Sequence, residues 1–227
     1  MHPILISFSG IDGAGKSTQI EKLSGYLRAQ AIPVGTQTFW DQVAVLAPLR
    51  SGFSRRVLES DGEIGTRERP ANRNDKNSQF LPLLLGRAVL YLFDVFRLRR
   101  VVVRAKSMGP PGGIIIFDRY IYDQLAALPL RRWLARSYAR LIVKLAPRPD
   151  LCFLVDAVPE EARARKPEYP VEFLREYRDS YLELCRLVPL NFLPPGGADD
   201  VHTAIVGEVQ KLLGDSAQTP VQSAVAA

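Results

Sequence analysis

Cysteine is scarce in this chain. Its 227 residues contain two, Cys152 in a strand-like apolar run and Cys185 in a helix-like one. Two are too few for a disulfide framework or a zinc site, so a reducing cytoplasm is the expected compartment. Histidine is equally scarce: His2 near the start and His202 in the last helical stretch leave no candidate for a catalytic imidazole. No apolar run reaches membrane-spanning length, so no membrane is expected as a partner. With a strand-like run beginning at Ile4, no signal peptide is expected. Internal repeats are absent, and no block of like charges occurs. Arg and Lys are spread along the chain, so its net charge of +6 suits a protein that handles polyanionic small molecules better than one that binds nucleic acid. A hydrophobic content of 47% with 24% charged residues is that of a globular domain.

Against these absences stands one dense pattern. Gly10-Ile11-Asp12-Gly13-Ala14-Gly15-Lys16-Ser17-Thr18 fits G-x-x-x-x-G-K-S/T. The apolar run Ile4–Phe8 before it suits a buried strand, and Ile20, Leu23 and Leu27 after it fall at helical spacing. A strand, a glycine-rich loop and a helix N-terminus in that order aim a nest of backbone N–H groups at an anion. Gly10, Gly13, Ala14, Gly15, Lys16, Ser17 and Thr18 are thus the expected phosphate-binding set for ATP. Lys16 would reach the β- and γ-phosphates, and the Ser17 hydroxyl would ligate the Mg²⁺ that accompanies them.

Further strand-like runs lie at Pro33–Phe39, Ile114–Phe117, Leu151–Val155 and, more weakly, Val188–Leu193. They are apolar without alternation, as strands covered on both faces are. Helical patterns occupy Phe80–Ser107, Tyr122–Leu145, Glu160–Arg186 and Asp199–Leu213. The alternation predicts an α/β fold: a doubly wound, five-stranded parallel sheet with helices on both faces, in one domain over residues 1–214. Ser51–Ser78 has little periodicity and reads as a long loop within 41–79; the polar tail from 215 onward reads as disordered.

Asp118-Arg119-Tyr120 closes the third strand. A carboxylate there could hold magnesium-bound water opposite Ser17, and an adjacent arginine could bridge two phosphate groups. Without the glycine loop, the same residues would read as a helix cap with a surface partner.

Several stretches together resemble the thymidylate kinase family. Residues 8–18 resemble its opening, with an acidic residue inside the loop. Asp118-Arg119-Tyr120 is similar to its D-R-Y/F/H signature, and Leu92-Phe93 with Arg97 to its L-F-x-x-x-R stretch. Pro149–Glu160 matches P-D-L-x-x-x-L-D-x-x-P-E, and Val171–Leu184 resembles the helix after the lid. The resemblance covers most of residues 3–186 and implies a P-loop NTPase-type fold with a short lid at about 160–172. It also implies a homodimer, nucleotide substrates and phosphoryl transfer from ATP to a pyrimidine nucleoside monophosphate, dTMP above all. By resemblance, Phe93 stacks on the base, Arg97 bonds a base carbonyl, Asp12 accepts from the sugar 3′-hydroxyl, and Tyr120 packs on the deoxyribose. On spacing alone, Phe93 and Arg97 read instead as a core Phe beside an exposed Arg.

The chain departs from the family in three places. The family's arginine after the second strand is missing from Thr38-Phe39-Trp40-Asp41-Gln42, which leaves Arg50, Arg55, Arg67 or Arg69 as substitutes. The stretch from Asp156 to Tyr181 is compressed. Gly13 stands where some members carry a loop arginine, so Arg163 or Arg165 at the lid is expected to supply the transition-state cation beside Lys16, Asp118 and Arg119. A kinase of another small acceptor, such as a nucleoside or a phosphorylated metabolite, is the alternative. A nucleotide-binding module without transfer activity is the third reading.

Overall fold

The computed structural model describes residues 3–44 and 81–218, with side-chain surroundings for 3–44 and 85–214. In chain order the elements are β1 (Ile4–Ser9), α1 (Lys16–Ala29), β2 (Val34–Thr38), α2 (Phe39–Gln42) and α3 (Leu81–Met108). There follow β3 (Ile114–Asp118), α4 (Ile121–Leu125), α5 (Trp133–Leu145), β4 (Leu151–Val155) and α6 (Pro159–Arg165). The last three are α7 (Val171–Cys185), β5 (Asn191–Leu193) and α8 (Ala198–Gln218). The five strands form one parallel sheet in the order β2-β3-β1-β4-β5.

Successive residues of each strand feed opposite layers. Ile6, Phe8, Ile114, Ile116 and Phe153 point into a cluster with Leu23 and Leu27 of α1, Leu174 and Tyr181 of α7, and Ile205 of α8. Leu5, Ile115, Phe117 and Cys152 point the other way, onto Val95, Leu98 and Val102 of α3 and Ala139 and Ile142 of α5. Each fully buried Leu, Ile or Phe contributes roughly 1.5–3 kcal/mol of transfer free energy, so both layers hold the sheet. The unbroken apolar runs of β1, β3 and β4 follow directly from this double cover. Asp150 of the Pro149-Asp150-Leu151 motif clamps the central strand: its Oδ2 accepts from the Leu5 N–H at 2.8 Å, while its own N–H donates to the Leu5 carbonyl at 2.9 Å.

The elements depart from the sequence expectation in several places. The helical pattern 122–145 is two helices, because Pro129 has no N–H to continue the first and the chain turns there through Leu128 and Leu130. The pattern 160–186 is likewise divided, with Pro167 and Pro170 between α6 and α7. Phe39 leaves β2 to open α2, and β5 is only three residues long. The last helix runs through Gln218, past the expected start of the tail. The long loop expected within 41–79 falls, from residue 45 on, outside the described residues.

Because β1 lies between β3 and β4, the carboxyl ends of all three strands meet. Phe8 of β1 is in register with Asp118 of β3, and Ser9 with Leu154 of β4. The glycine loop, the Asp118-Arg119-Tyr120 turn and the entrance to α6 therefore share one edge, which is where ligands sit in sheets of this kind.

Candidate active site

Glycine is required in the loop by backbone conformation. Gly10, Gly13 and Gly15 have φ of 143°, 83° and 90°. At Gly10 a Cβ would fall 2.3 Å from the carbonyl oxygen of Val155, because β4 passes directly behind the loop. Gly15 is the N-cap of α1 and offers no side-chain cap, and the first turn carries no acidic residue. The first N–H groups of α1 are thereby left facing the loop's concavity, with the dipole behind them.

Lys16 folds back into that concavity. Its Nζ donates to the carbonyl oxygens of Gly10 at 2.9 Å and Ile11 at 2.8 Å. Burial, and then the Arg119 guanidinium, lower its pKa to about 8, partly opposed by Asp12, Asp123 and Asp118. A charged ammonium kept there at such cost is poised to exchange two neutral carbonyls for anionic oxygens.

Arg119 adopts the left-handed conformation, φ 68°, and its N–H donates to the Phe8 carbonyl at 2.9 Å. The turn thus bends the guanidinium back over β1. One of its terminal nitrogens donates to Asp12 Oδ1, and the other to Asp123 Oδ1 at 3.2 Å. Asp118 does not receive this arginine. Asp12, expected to accept from a sugar hydroxyl, accepts from Arg119. Asp123 escaped the sequence reading: an acid five residues past a strand end looks like a helix-start residue, and only the fold shows it buried at 1% exposure.

The lid reaches the loop. Arg165 donates from Nη1 to the Gly13 carbonyl at 3.0 Å and from Nη2 to Glu161 Oε2, also at 3.0 Å. Arg163 is two residues earlier on α6, about 200° around the helix, and so leaves by another face. Behind α6, Asp156 and Arg178 form a two-pronged pair, both contacts 2.7 Å. Ser17 is exposed at the start of α1, and Asp118 is half-buried at the end of β3, the strand beside β1.

Comparisons with known proteins agree with this geometry. No family model matches the chain. It is 28% identical to the thymidylate kinase of Chlorobium luteolum, over 89% of this chain and 95% of that one. It is 27% identical to the probable thymidylate kinase of Pyrococcus abyssi, over 94% of this chain and 100% of the other. Among solved structures, a thymidylate kinase from Ehrlichia chaffeensis superposes with a TM-score of 0.54 at 16% identity, over 92% of this chain and 99% of that one. The chain is similar to thymidylate kinases over nearly its whole length, at the low identity that fits a divergent relative.

The expected acceptor residues fall into two groups. Phe93 is 57% exposed, so the alternative of a core phenylalanine fails. Arg97, one turn further along α3, lines a cavity of about 940 Å³ with Gln37, Asp41 and Gln42 from the end of β2 and α2. Tyr120 behaves differently from expectation. It is 1% exposed, its ring packs among Phe39, Phe117 and Tyr122, and its hydroxyl donates to the Pro147 carbonyl at 2.6 Å. The β3 turn directs this side chain into the core layer packed on α3 and α5, away from solvent. Arg50, Arg55, Arg67 and Arg69 lie outside the described residues.

Proposed function

We propose that this chain is a nucleoside monophosphate kinase that transfers the γ-phosphoryl group of ATP to a pyrimidine nucleoside monophosphate, converting dTMP to dTDP. The observation that carries this reading is the convergence of Lys16 and Arg165 on one glycine loop, from α1 and from the lid. Gly10, Gly13, Ala14, Gly15, Lys16, Ser17 and Thr18 form the phosphate cradle. Lys16 exchanges the Gly10 and Ile11 carbonyls for phosphate oxygens on binding. Arg119 bridges donor and acceptor phosphates, and Arg165 rather than Arg163 is the lid arginine that meets the transferred group.

Little covalent work falls to the protein. The acceptor's phosphate has a second pKa of about 6 and is already a nucleophile near neutral pH, so no general base is required. The loose transition state spreads charge over three oxygens, and the side chains named hold those oxygens in line. Hydroxyl and carboxylate oxygens suit a hard dication. Bound with the nucleotide, Mg²⁺ would offset phosphate charge. Ser17 would hold it directly and Asp118 through water. Phe93 and Arg97 would receive the base, and Asp12 the sugar hydroxyl once Arg119 turns to phosphate.

The missing basic residue in Phe39–Gln42 favours, as a second reading, a kinase of a different small acceptor. A screen of dTMP, dUMP, UMP, CMP and thymidine with ATP separates the two. Turnover of dTMP above the others is expected, and turnover of thymidine alone would overturn the assignment.

A cytoplasmic homodimer is part of this proposal. Cys152 and Cys185 are free thiols, and no helix among the described residues is long and apolar enough to cross a membrane. Val89, Phe96 and Val103 of α3 and Trp133, Leu134 and Leu141 of α5 are exposed, which is costly in a monomer. Light scattering after size exclusion should give twice the chain mass.

A further inference from the structure

The Asp123 carboxylate, beside the loop, accepts four hydrogen bonds, and the mechanism above gives it no task. Its Oδ1 accepts from the Tyr181 hydroxyl at 2.7 Å and from Arg119 at 3.2 Å. Oδ2 accepts from the Ser9 hydroxyl at 2.7 Å and the Tyr120 N–H at 3.0 Å. Its main-chain carbonyl accepts from the Tyr177 hydroxyl at 2.7 Å. One buried carboxylate thus joins the residue before Gly10, the turn that carries Arg119 and the helix that follows the lid.

A carboxylate removed from water is tolerated only when fully partnered, and apolar packing would hold the same elements together at less cost. Its retention here is explained by what it does to Arg119. Two carboxylates, Asp12 and Asp123, grip the two ends of one guanidinium. The Asp123 grip is also fastened to α7. Tyr169 of the lid linker and Phe173, Tyr177 and Tyr181 of α7 form a run of ring contacts, with centroids 5.1, 5.6 and 5.1 Å apart, from the linker to the carboxylate.

We propose that Asp123 is a positioning residue that aims Arg119 at the phosphates and, through Tyr177 and Tyr181, makes that aim depend on the seating of α7 behind the lid. Asp12 can leave Arg119 for a ligand hydroxyl, whereas Asp123 is enclosed and stays. The guanidinium then pivots about a fixed end. The inference rests on the kinase reading for its effect on turnover, but the geometry of Arg119 is testable without it.

The experiment is a double-mutant cycle on Asp123→Asn and Arg119→Ala, with thermal unfolding as a control on folding. Asp123→Asn in the otherwise unchanged chain should lower kcat by at least about tenfold with less than about a threefold change in the KM for ATP, since a displacement near 1 Å can cost about a hundredfold. In the Arg119→Ala background the same change should alter kcat by less than about twofold. An equal loss in both backgrounds would show that Asp123 acts independently of Arg119 and would overturn the proposal. If Asp123→Asn fails to fold, Tyr181→Phe, which removes one donor to Oδ1, takes its place in the cycle. Nitrogen-15 relaxation of the Arg119 Nε–H group supplies the second measurement. An ordered group that becomes mobile in the variant supports the positioning role; one equally ordered in both refutes it. Absence of all transfer by the unaltered enzyme would refute the kinase reading, and the relaxation result would still decide this one.

Discussion

Gly13 lies directly against Ala162: a Cβ on the loop glycine would fall 2.2 Å from the helix's carbonyl oxygen. The lid helix α6 therefore rests on the loop backbone, and the same contact brings Arg165 to the Gly13 carbonyl.

Gly13→Ala should push α6 away and strain the loop, whose φ of 83° costs a non-glycine residue roughly 1–3 kcal/mol. A lower Tm and a fall in kcat are expected together. Gly25→Ala is the contrast, since a Cβ there meets nothing within 4 Å in mid-helix α1; it should raise stability by roughly 0.5–1 kcal/mol. Calorimetry of the two variants would contradict the steric account if Gly13→Ala were as harmless as Gly25→Ala.

Arg165→Ala should depress kcat by at least about a hundredfold with little change in ATP affinity, a finger arginine contributing roughly 10³–10⁵. Arg163→Ala, on another face of α6, should lose less than about tenfold. Steady-state kinetics that reversed this order would move the finger to Arg163. A double variant losing less than about tenfold would leave Arg119 as the source.

Phe93→Ala and Arg97→Ala should each raise the acceptor KM far more than the KM for ATP. Phe93 is more than half exposed, so its truncation should barely move Tm. A marked loss of stability with an unaltered acceptor KM would return Phe93 to a packing role.

Lys16 gives a pH prediction. Its folded pKa of about 8 lies below its ordinary 10.5, so the unfolded chain holds the proton more tightly. The penalty for the buried charge is present below about pH 8 and is relieved as pH rises toward 10.5, so this group makes stability rise across that window. Ligand binding runs the other way. Phosphate oxygens favour the ammonium, so ATP binding at pH 8 should take up about half a proton, and ATP affinity should fall above that pH. Titration calorimetry in buffers of different ionisation enthalpy would measure the uptake, which Lys16→Ala should abolish along with transfer while leaving the circular dichroism spectrum intact. Undiminished proton uptake in that variant would assign it to another group.

The sequence by itself determined the loop, the five strands and the turn at Asp118-Arg119-Tyr120, because each rests on local chemistry: glycine at positive φ, apolar runs under two helical layers, a strand ending in a carboxylate. It also carried enough of the lid pattern to mark Arg163 and Arg165 as candidate lid cations. It misjudged helices 122–145 and 160–186, where the apolar period runs on through Pro129, Pro167 and Pro170 and conceals the breaks. Three matters belonged to tertiary structure alone. Tyr120 turns into the core because the backbone at Arg119 is left-handed, and a dipeptide does not disclose its φ. Arg165 rather than Arg163 meets the loop because α6 docks on Gly13 by one face. Asp123 takes two donors from its neighbours Arg119 and Tyr120, but the other two come from Ser9, 114 residues away at the end of β1, and Tyr181, 58 residues away on α7, and only the packing of β1 and α7 around the β3 turn brings those to one carboxylate.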